Sequence, residues 1–424
     1  MLQPLMTEPH APWKERFRAP GQFGGPAKEE PQRGLVASNH TGVYQLYAWD
    51  IPAGALRPVT DRPSGVAFGI MSPDGRSIYY FDDEQGNEIG HFVRVPFEGG
   101  TPEDLTPDLP PYSSFSFAES QSGNLICVTM AKEDGFSAYA IDPEAVGEAG
   151  NARRFFHSPS FVEGTIVSHD GALAVVTSTE RTGKPEYSLV AVDVVSGERV
   201  AELWDGEGSS VKASMFSPLA TDRRVLATTN RSGVERPLLW DPRSGERADL
   251  QLGHLSGDVV PYDWSHDGKT LLLSGITEAI QHLYLYDLAE HRVTPLDHPA
   301  GTYFGGGFRP DGEIWTHWTD SHASDAVDRA GRPAGHPEAG RAPGERCPAR
   351  PPLAVDHLHV LGRPAHPGLA WRAGGGWPVS DDPGNTWRPD LGRAEHVRSR
   401  QPVLARPRLR LSHDQLSRLD HFRP

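Results

Sequence analysis

The tetrapeptide Ser-His-Asp-Gly occurs twice, placing Ser168, His169 and Asp170, and again Ser265, His266 and Asp267, side by side. These are the residue types of an acyl-transfer triad. Consecutive residues, however, cannot set a hydroxyl on one imidazole nitrogen and a carboxylate on the other while lining a cleft. The same slot reads Ser-Pro-Asp-Gly at Ser72, so both copies are read as turns. No G-x-S-x-G elbow, the device that exposes a nucleophilic serine, occurs in the chain. The Phe81-Asp-Asp-Glu run reads as a solvated loop, because a hard cation needs more converging oxygens than one loop end offers. The glycine-rich TYFGGGF at Thr302 lacks the following helix of a phosphate cradle and reads as a strand. In DHLHV at Asp356, two histidines share one face of a strand, but zinc needs three or four ligands. Cys127 and Cys347 form neither a disulfide framework nor a metal spacing. No catalytic, cofactor-binding or metal-binding residue is therefore assigned, and no cofactor is expected.

What positions these turns is a repeat. One signature, a short alternating strand ending in an acid, a turn and a polar strand, places Asp50, Asp142, Asp193, Asp241 and Asp287 in one slot, with Pro96 filling it once. Successive intervals are 46, 46, 51, 48 and 46 residues. A second signature lies half a period away, with Asp-Gly turns at Asp74, Asp170, Asp267 and Asp311 and weaker copies at Gly123 and Asp222. Two hairpins per period mean four short strands per unit. Such units cannot bury both faces alone and stack around an axis, which predicts an all-β chain: a β-propeller of six to seven four-stranded blades. The pattern gives five full units between Ser64 and Pro299. It leaves a partial one from Gly34 to Thr60 and another from Thr302 to Thr319. The partial units are candidates to pair as one composite blade, closing a six-unit ring.

Composition divides the 424 residues unequally. Beyond Trp318 there is no Lys, Ile, Met or Tyr, and from Ser321 onward 16 Arg face 11 Asp plus Glu. That balance of +5 leaves −20 of the total −15 on the first 320 residues. An acidic body is unlike a nucleic-acid binder, whose footprint is basic. No apolar run approaches the ~20 residues of a membrane span. The first residues lack the apolar core and cleavage site of a secretory signal, so a cytoplasmic protein is expected. Three segments result: an N-terminal extension over 1–33, a propeller over 34–320, and a tail over 321–424 expected to stay largely disordered.

The tail becomes interpretable one base out of frame. From Leu353 to Arg363 the shifted codons permit WRSITFTSSDG, and from His366 to Trp371 they permit IQGWLG. From Ala373 to Asp390 they permit PEGxGPFPTILETHGGPT, and from Gln415 to Arg423 NYRGSTTFG. Trp371, Trp377 and Trp387 each force a glycine there. The permitted FPTILETHGGPT followed by NYRGSTTFG resembles the start of the α/β-hydrolase domain in prolyl oligopeptidase family serine peptidases, especially the acylaminoacyl-peptidase branch. The resemblance implies a frameshift between Thr319 and about Arg350. It also implies a propeller that gates a site hydrolysing short peptides, with HGGP helping to form the oxyanion hole. Trp387 and Arg388 stand where two glycines belong, and the family's serine, aspartate and histidine would lie downstream. The chain as translated is therefore expected to be inactive alone. The alternative is a stand-alone propeller scaffold that binds a protein or peptide partner.

Overall fold

In the computed structural model, the described residues are 21–319, apart from Gly147, Ala149, His254 and Pro299, together with the backbone strand Leu358–Val360. The rest of the sequence segment 321–424 lies outside them, as do the first twenty residues and the sequence expectations attached to both.

Each repeat folds as an antiparallel meander in which consecutive strands are hydrogen-bonded neighbours. Six sheets have four strands, spanning residues 22–58, 69–104, 113–158, 162–203, 211–249 and 258–295. A seventh has three: Thr302–Phe308, Ile314–Thr319 and Leu358–Val360. The chain is a β-propeller, and we number these sheets as blades one to seven.

The two sequence signatures are the two turn types at one end of the blades, the Asp-Gly turns joining first and second strands and the acid-slot turns joining third and fourth. In the Asp-Gly turns a serine hydroxyl and the aspartate cap the turn. Ser265 Oγ donates to Asp267 Oδ1 at 2.7 Å, and Lys269 N donates to the same oxygen. Gly268 takes φ +70°, a conformation open to glycine at little cost. In the other slot the acid accepts backbone donors two or three residues on. Asp241 Oδ1 accepts Arg243 N at 2.8 Å and Asp193 Oδ1 accepts Ser196 N at 3.0 Å. This local bonding is why aspartate recurs there.

The strands between these turns are apolar on both faces because both are covered. Strand Leu173–Ser178 of blade four is buried at all six positions. Its Val176 packs toward Phe156 and Ala138 of blade three, while Val175 packs toward Val211 and Leu238 of blade five. One apolar cluster of this kind fills each of the seven seams. The last joins Val36, Tyr47 and Trp49 of blade one to Trp315 of blade seven and closes the ring.

Two sequence expectations change at the ends. Blade one is complete, because Gln22–Pro26 pairs with Arg33–Ser38 as its inner strand, upstream of Gly34. The terminal units do not merge into a composite blade: each builds its own sheet, and the seventh takes its third strand from Leu358–Val360.

The glycine of the Asp-Gly turn gives a direct test. A Cβ on Gly268 would stand 2.6 Å from Leu219 Cδ1 of the neighbouring turn, whereas one on Gly312 (φ +85°) meets nothing within 4 Å. Gly268→Ala should cost about 2–3 kcal/mol in urea unfolding and Gly312→Ala about 1, backbone strain alone.

Candidate functional site: the axial chamber and its two faces

The inner strands of the blades surround the propeller axis. In blades three to seven each carries a bulge against its neighbour, at Phe115, Glu163, Ser214, Tyr262 and Phe304. A bulge sets one residue out of the ladder and re-aims it, and bulges concentrate beside functional sites. Glu163 accepts an ion-paired hydrogen bond from Lys212 Nζ of the next blade at 2.7 Å. Tyr262 OH donates to Tyr303 O of the next blade at 2.7 Å. Between blades three and four, Thr129 Oγ1 donates to Thr165 Oγ1 at 2.9 Å, and Thr165 N donates to Ser116 Oγ at 3.1 Å. The axis is thus walled by polar cross-blade bonds, with the apolar clusters farther out.

Asp263 is the buried carboxylate of this wall. Its Oδ2 accepts Phe308 N of blade seven at 2.7 Å, and its Oδ1 lies 3.3 Å from Lys28 Nζ of blade one. The bare backbone of Gly307 makes room, since a Cβ there would stand 3.1 Å from Oδ2. A cleft of about 370 Å³ opens between the inner strands of blades one and two. Leu35, Leu46 and Met71 line it with Phe23 and Phe68, and half-buried Lys28 stands at its rim.

The two faces of the disc differ. One bears the Asp-Gly turns and the acid-slot turns and is polar. There the Arg223 guanidinium holds the Asp170 carboxyl well below the usual carboxylate range, through bonds of 2.6 and 2.8 Å. The opposite face carries the remaining hairpins and the loops that lead into the inner strands. Among the described residues, seven of the nine exposed large apolar side chains lie there: Val43, Phe68, Ile89, Phe161, Ile276, Ile280 and Phe304. Only Val195 lies among the polar turns.

The residues singled out from sequence separate accordingly. Ser168 Oγ donates to Asp170 Oδ1 at 2.7 Å and receives Leu173 N, which leaves His169 out of the pair. Ser265 and Asp267 repeat the arrangement, and both copies are turns. In the Phe81 run, Asp82 pairs with Arg62, while Asp83 accepts Gly86 N and Glu88 N. TYFGGGF is the inner strand of blade seven. Of DHLHV, His359 lies on the last strand opposite Thr316; Asp356 and His357 lie outside the described residues. Cys127 is free and buried, and burial pushes its thiol up, away from the reactive thiolate. Cys347 lies outside the described residues. Among the described residues, no three His, Cys, Asp or Glu side chains converge as a metal site, and no helix is long and apolar enough to cross a membrane. Sequence reasoning missed Lys28, Asp263 and the bulges. The only local cue was the Gly-Gly-Pro of Gln22–Pro26, a close-approach signature inside what proved to be a strand.

No family model matches the chain, and no curated protein matches it. Solved structures do share its fold. An oligogalacturonate lyase from Vibrio parahaemolyticus matches with a TM-score of 0.56 over 70% of this chain and 85% of its own, at 11% identity. A prolyl endopeptidase studied for inter-domain dynamics in catalysis and specificity matches with 0.58 over 72% and 47%, at 13% identity. Prolyl oligopeptidase B from Galerina marginata gives 0.55 over 72% and 48%, at 11% identity. The chain spans about half the length of these two peptidases. At such identities the likeness is one of fold: the propeller is of the kind found in both enzyme groups.

One acid beside the polar face should report its environment. Burial pushes Glu119, at the end of the inner strand of blade three, up to about 7; Tyr79 OH donates to it at 3.3 Å. Because the folded value lies above the unfolded one, its contribution is fully present below about pH 4.5 and is lost as pH rises through 7. Glu119→Gln should therefore match the wild type near pH 4.5 and exceed its stability by up to about 3 kcal/mol at pH 8. A chemical-denaturation series across that range measures it, and equal stabilities at pH 8 would remove Glu119 as the cause.

Proposed function

We propose that this chain is the substrate-gating propeller of a cytoplasmic serine oligopeptidase of the acylaminoacyl-peptidase type, a hydrolase of short peptides. In this reading the stretch from about Ser321 is a shifted reading frame of the linker and hydrolase domain. The observation that carries it is the apolar face. Phe68, Phe161 and Phe304 stand exposed around the mouth of the chamber, with Ile276 and Ile280 at a hairpin tip beside them. Apolar side chains gathered on one side mark a surface that another body covers. A hydrolase domain seated there would leave the chamber as an antechamber that admits short chains and excludes folded ones.

Two further supports are independent of each other. The fold matches prolyl peptidases over some 72% of the chain. The shifted frame permits the family's linker and oxyanion-hole motifs in order across the segment 353–423. The lyase and peptidase likenesses are alike in being ones of fold, so the apolar face and the shifted frame are what favour the peptidase reading. The chain as translated supplies no triad, no cofactor site and no metal site in this reading. Its partners are short peptides, with no nucleic acid and no membrane.

Reading the genomic DNA around the codon for Ser321 tests the proposal. A restored frame continuing into Phe-Pro-Thr-Ile-Leu-Glu-Thr-His-Gly-Gly-Pro and on to a G-x-S-x-G elbow is expected. The restored product should hydrolyse a short aminoacyl or peptidyl amide, while the chain as translated should show no turnover. Turnover by the present chain, lost on replacing one of its own serines, would sink the reading. A confirmed frame with a partner-bound propeller would establish the scaffold alternative instead.

A further inference from the structure

The turn joining the first two strands of blade one, residues 27–32, is placed unlike its six counterparts. Turns elsewhere on this face bond to an adjacent blade. Ser122 N donates to His169 O at 3.0 Å from blade three to blade four, and Arg223 of blade five pairs with Asp170 of blade four. The turn of blade one also bonds to its neighbours, through Glu29 N to Pro73 O of blade two at 2.8 Å and from Arg309 of blade seven to Pro31 O at 2.8 Å. It then reaches past both. Gln121 Nε2 of blade three donates to Glu29 Oε1 at 2.9 Å. Lys28 Nζ reaches Asp263 of blade six, and His266 Nε2 of the same blade lies 3.3 Å from Lys28 O and 3.6 Å from Glu29 Oε1. In a ring of seven, blades three and six stand two places away on opposite sides of blade one. A single residue that touches both lies across the axis.

We propose that residues 27–32 are a strap closing the axial chamber on its polar face, and that the strap opens without unfolding of the ring. Its seat is nearly all polar. Ala27 is buried, but Glu29 and Gln32 are not, and Pro31 has no N–H to anchor. The hydrogen bonds that tie it to other blades end on side chains of Gln121, His266, Asp263 and Arg309 and on one carbonyl, that of Pro73, while its two ends are anchored within blade one by Ala27 N to Arg33 O at 2.7 Å and Ile51 N to Gln32 O at 2.9 Å. A segment with few buried apolar contacts and exposed polar bonds belongs to the low end of local stability, below the strands it crosses. With the strap seated, the chamber is blind and is entered from the apolar face; with it lifted, the chamber is a through-channel. This inference does not depend on the peptidase reading, since it concerns the ring alone.

Native-state hydrogen exchange on the full chain tests it. The amides of Ala27 and Glu29 are expected to exchange by a local opening insensitive to low urea, while those of strand Arg33–Ser38 show the urea dependence of global unfolding. Glu29→Ala should speed exchange at Ala27 about three- to tenfold without changing the protection of that strand. Gln121→Ala, which lies outside the strap, should do the same at both Ala27 and Glu29. Exchange at residues 27 and 29 that follows the global urea dependence, or that neither variant accelerates, would overturn the proposal and make the turn a fixed part of the ring.

Discussion

Face-to-face packing between neighbouring sheets is the interaction on which everything else in this molecule rests. A four-stranded meander with two apolar faces is unstable alone, and each buried Val or Leu stabilises by about 1.5–3 kcal/mol only once the next sheet covers it. Every blade therefore depends on two neighbours, and the first and last depend on each other. Among the described residues the closing seam is the leanest. Val36, Tyr47 and Trp49 meet Trp315, whereas the seam between blades three and four buries twelve residues. Polar contacts reinforce the lean seam. His317 Nε2 bonds to the backbone of Gly24, and the Arg309 guanidinium lies 3.9 Å over the Trp315 ring while donating to Pro31 O. Lys28 then ties blade one past blade seven to Asp263. The turn at residues 27–32 thus takes part in closing the ring, which gives a physical reason for its reach toward the axis.

The same packing decides where polar chemistry is tolerated. Seams filled with Val, Leu and aromatic rings leave no room for charge, so carboxylates and guanidinium groups gather at the turn ends and along the axis. Where a charge is buried it is paired and hydrogen-bonded, as Asp263 is by Lys28 and Phe308 N. An unpaired charge would cost several kcal/mol there. Glu119 shows the other outcome. With only Tyr79 bonded to it, burial pushes its carboxyl toward neutrality.

How much of this was legible in sequence depends on whether the cause was local. The Asp-Gly turns and the acid slots were readable because glycine's positive φ and aspartate's bonds to nearby N–H groups act within a few residues, at Gly268 and at Asp241 alike. The inner strand Gln22–Pro26 was invisible, since Gln-Phe-Gly-Gly-Pro has no β-branched residue and no alternation. It is a strand because it pairs closely with Arg33–Ser38 as the inner edge of blade one, and blade two presses on that blade in turn. A Cβ on Gly24 would fall 2.0 Å from Leu35 O, and one on Gly69 would fall 2.6 Å from Leu46 Cδ1. The bulges at Glu163 and Tyr262, and the reach of Glu29 to Gln121 across 92 residues, are set by ring geometry that no window of sequence contains.

A disc whose turn face is polar and whose hairpin face carries most of the exposed large apolar side chains of the described residues is directional. Its asymmetry follows from the connectivity. On the turn side, short tight links need Asp, Gly and Ser for their backbone conformations, so polarity comes with the fold. On the hairpin side, links such as residues 58–69 and 104–113 are longer and impose no such residues, so their composition is free to serve another purpose. Phe68, beside the inner strand of blade two, meets Phe23 of blade one at 6.0 Å between ring centroids, yet 72% of it remains exposed. An aromatic ring held in water is carried at a cost of about 1.5–3 kcal/mol relative to burial. Four such residues around one mouth, Phe68, Phe161, Ile276 and Phe304, are accounted for most economically by a body that covers that face. In the reading proposed above, the chamber would communicate with that body on one side and, past the turn at residues 27–32, with solvent on the other.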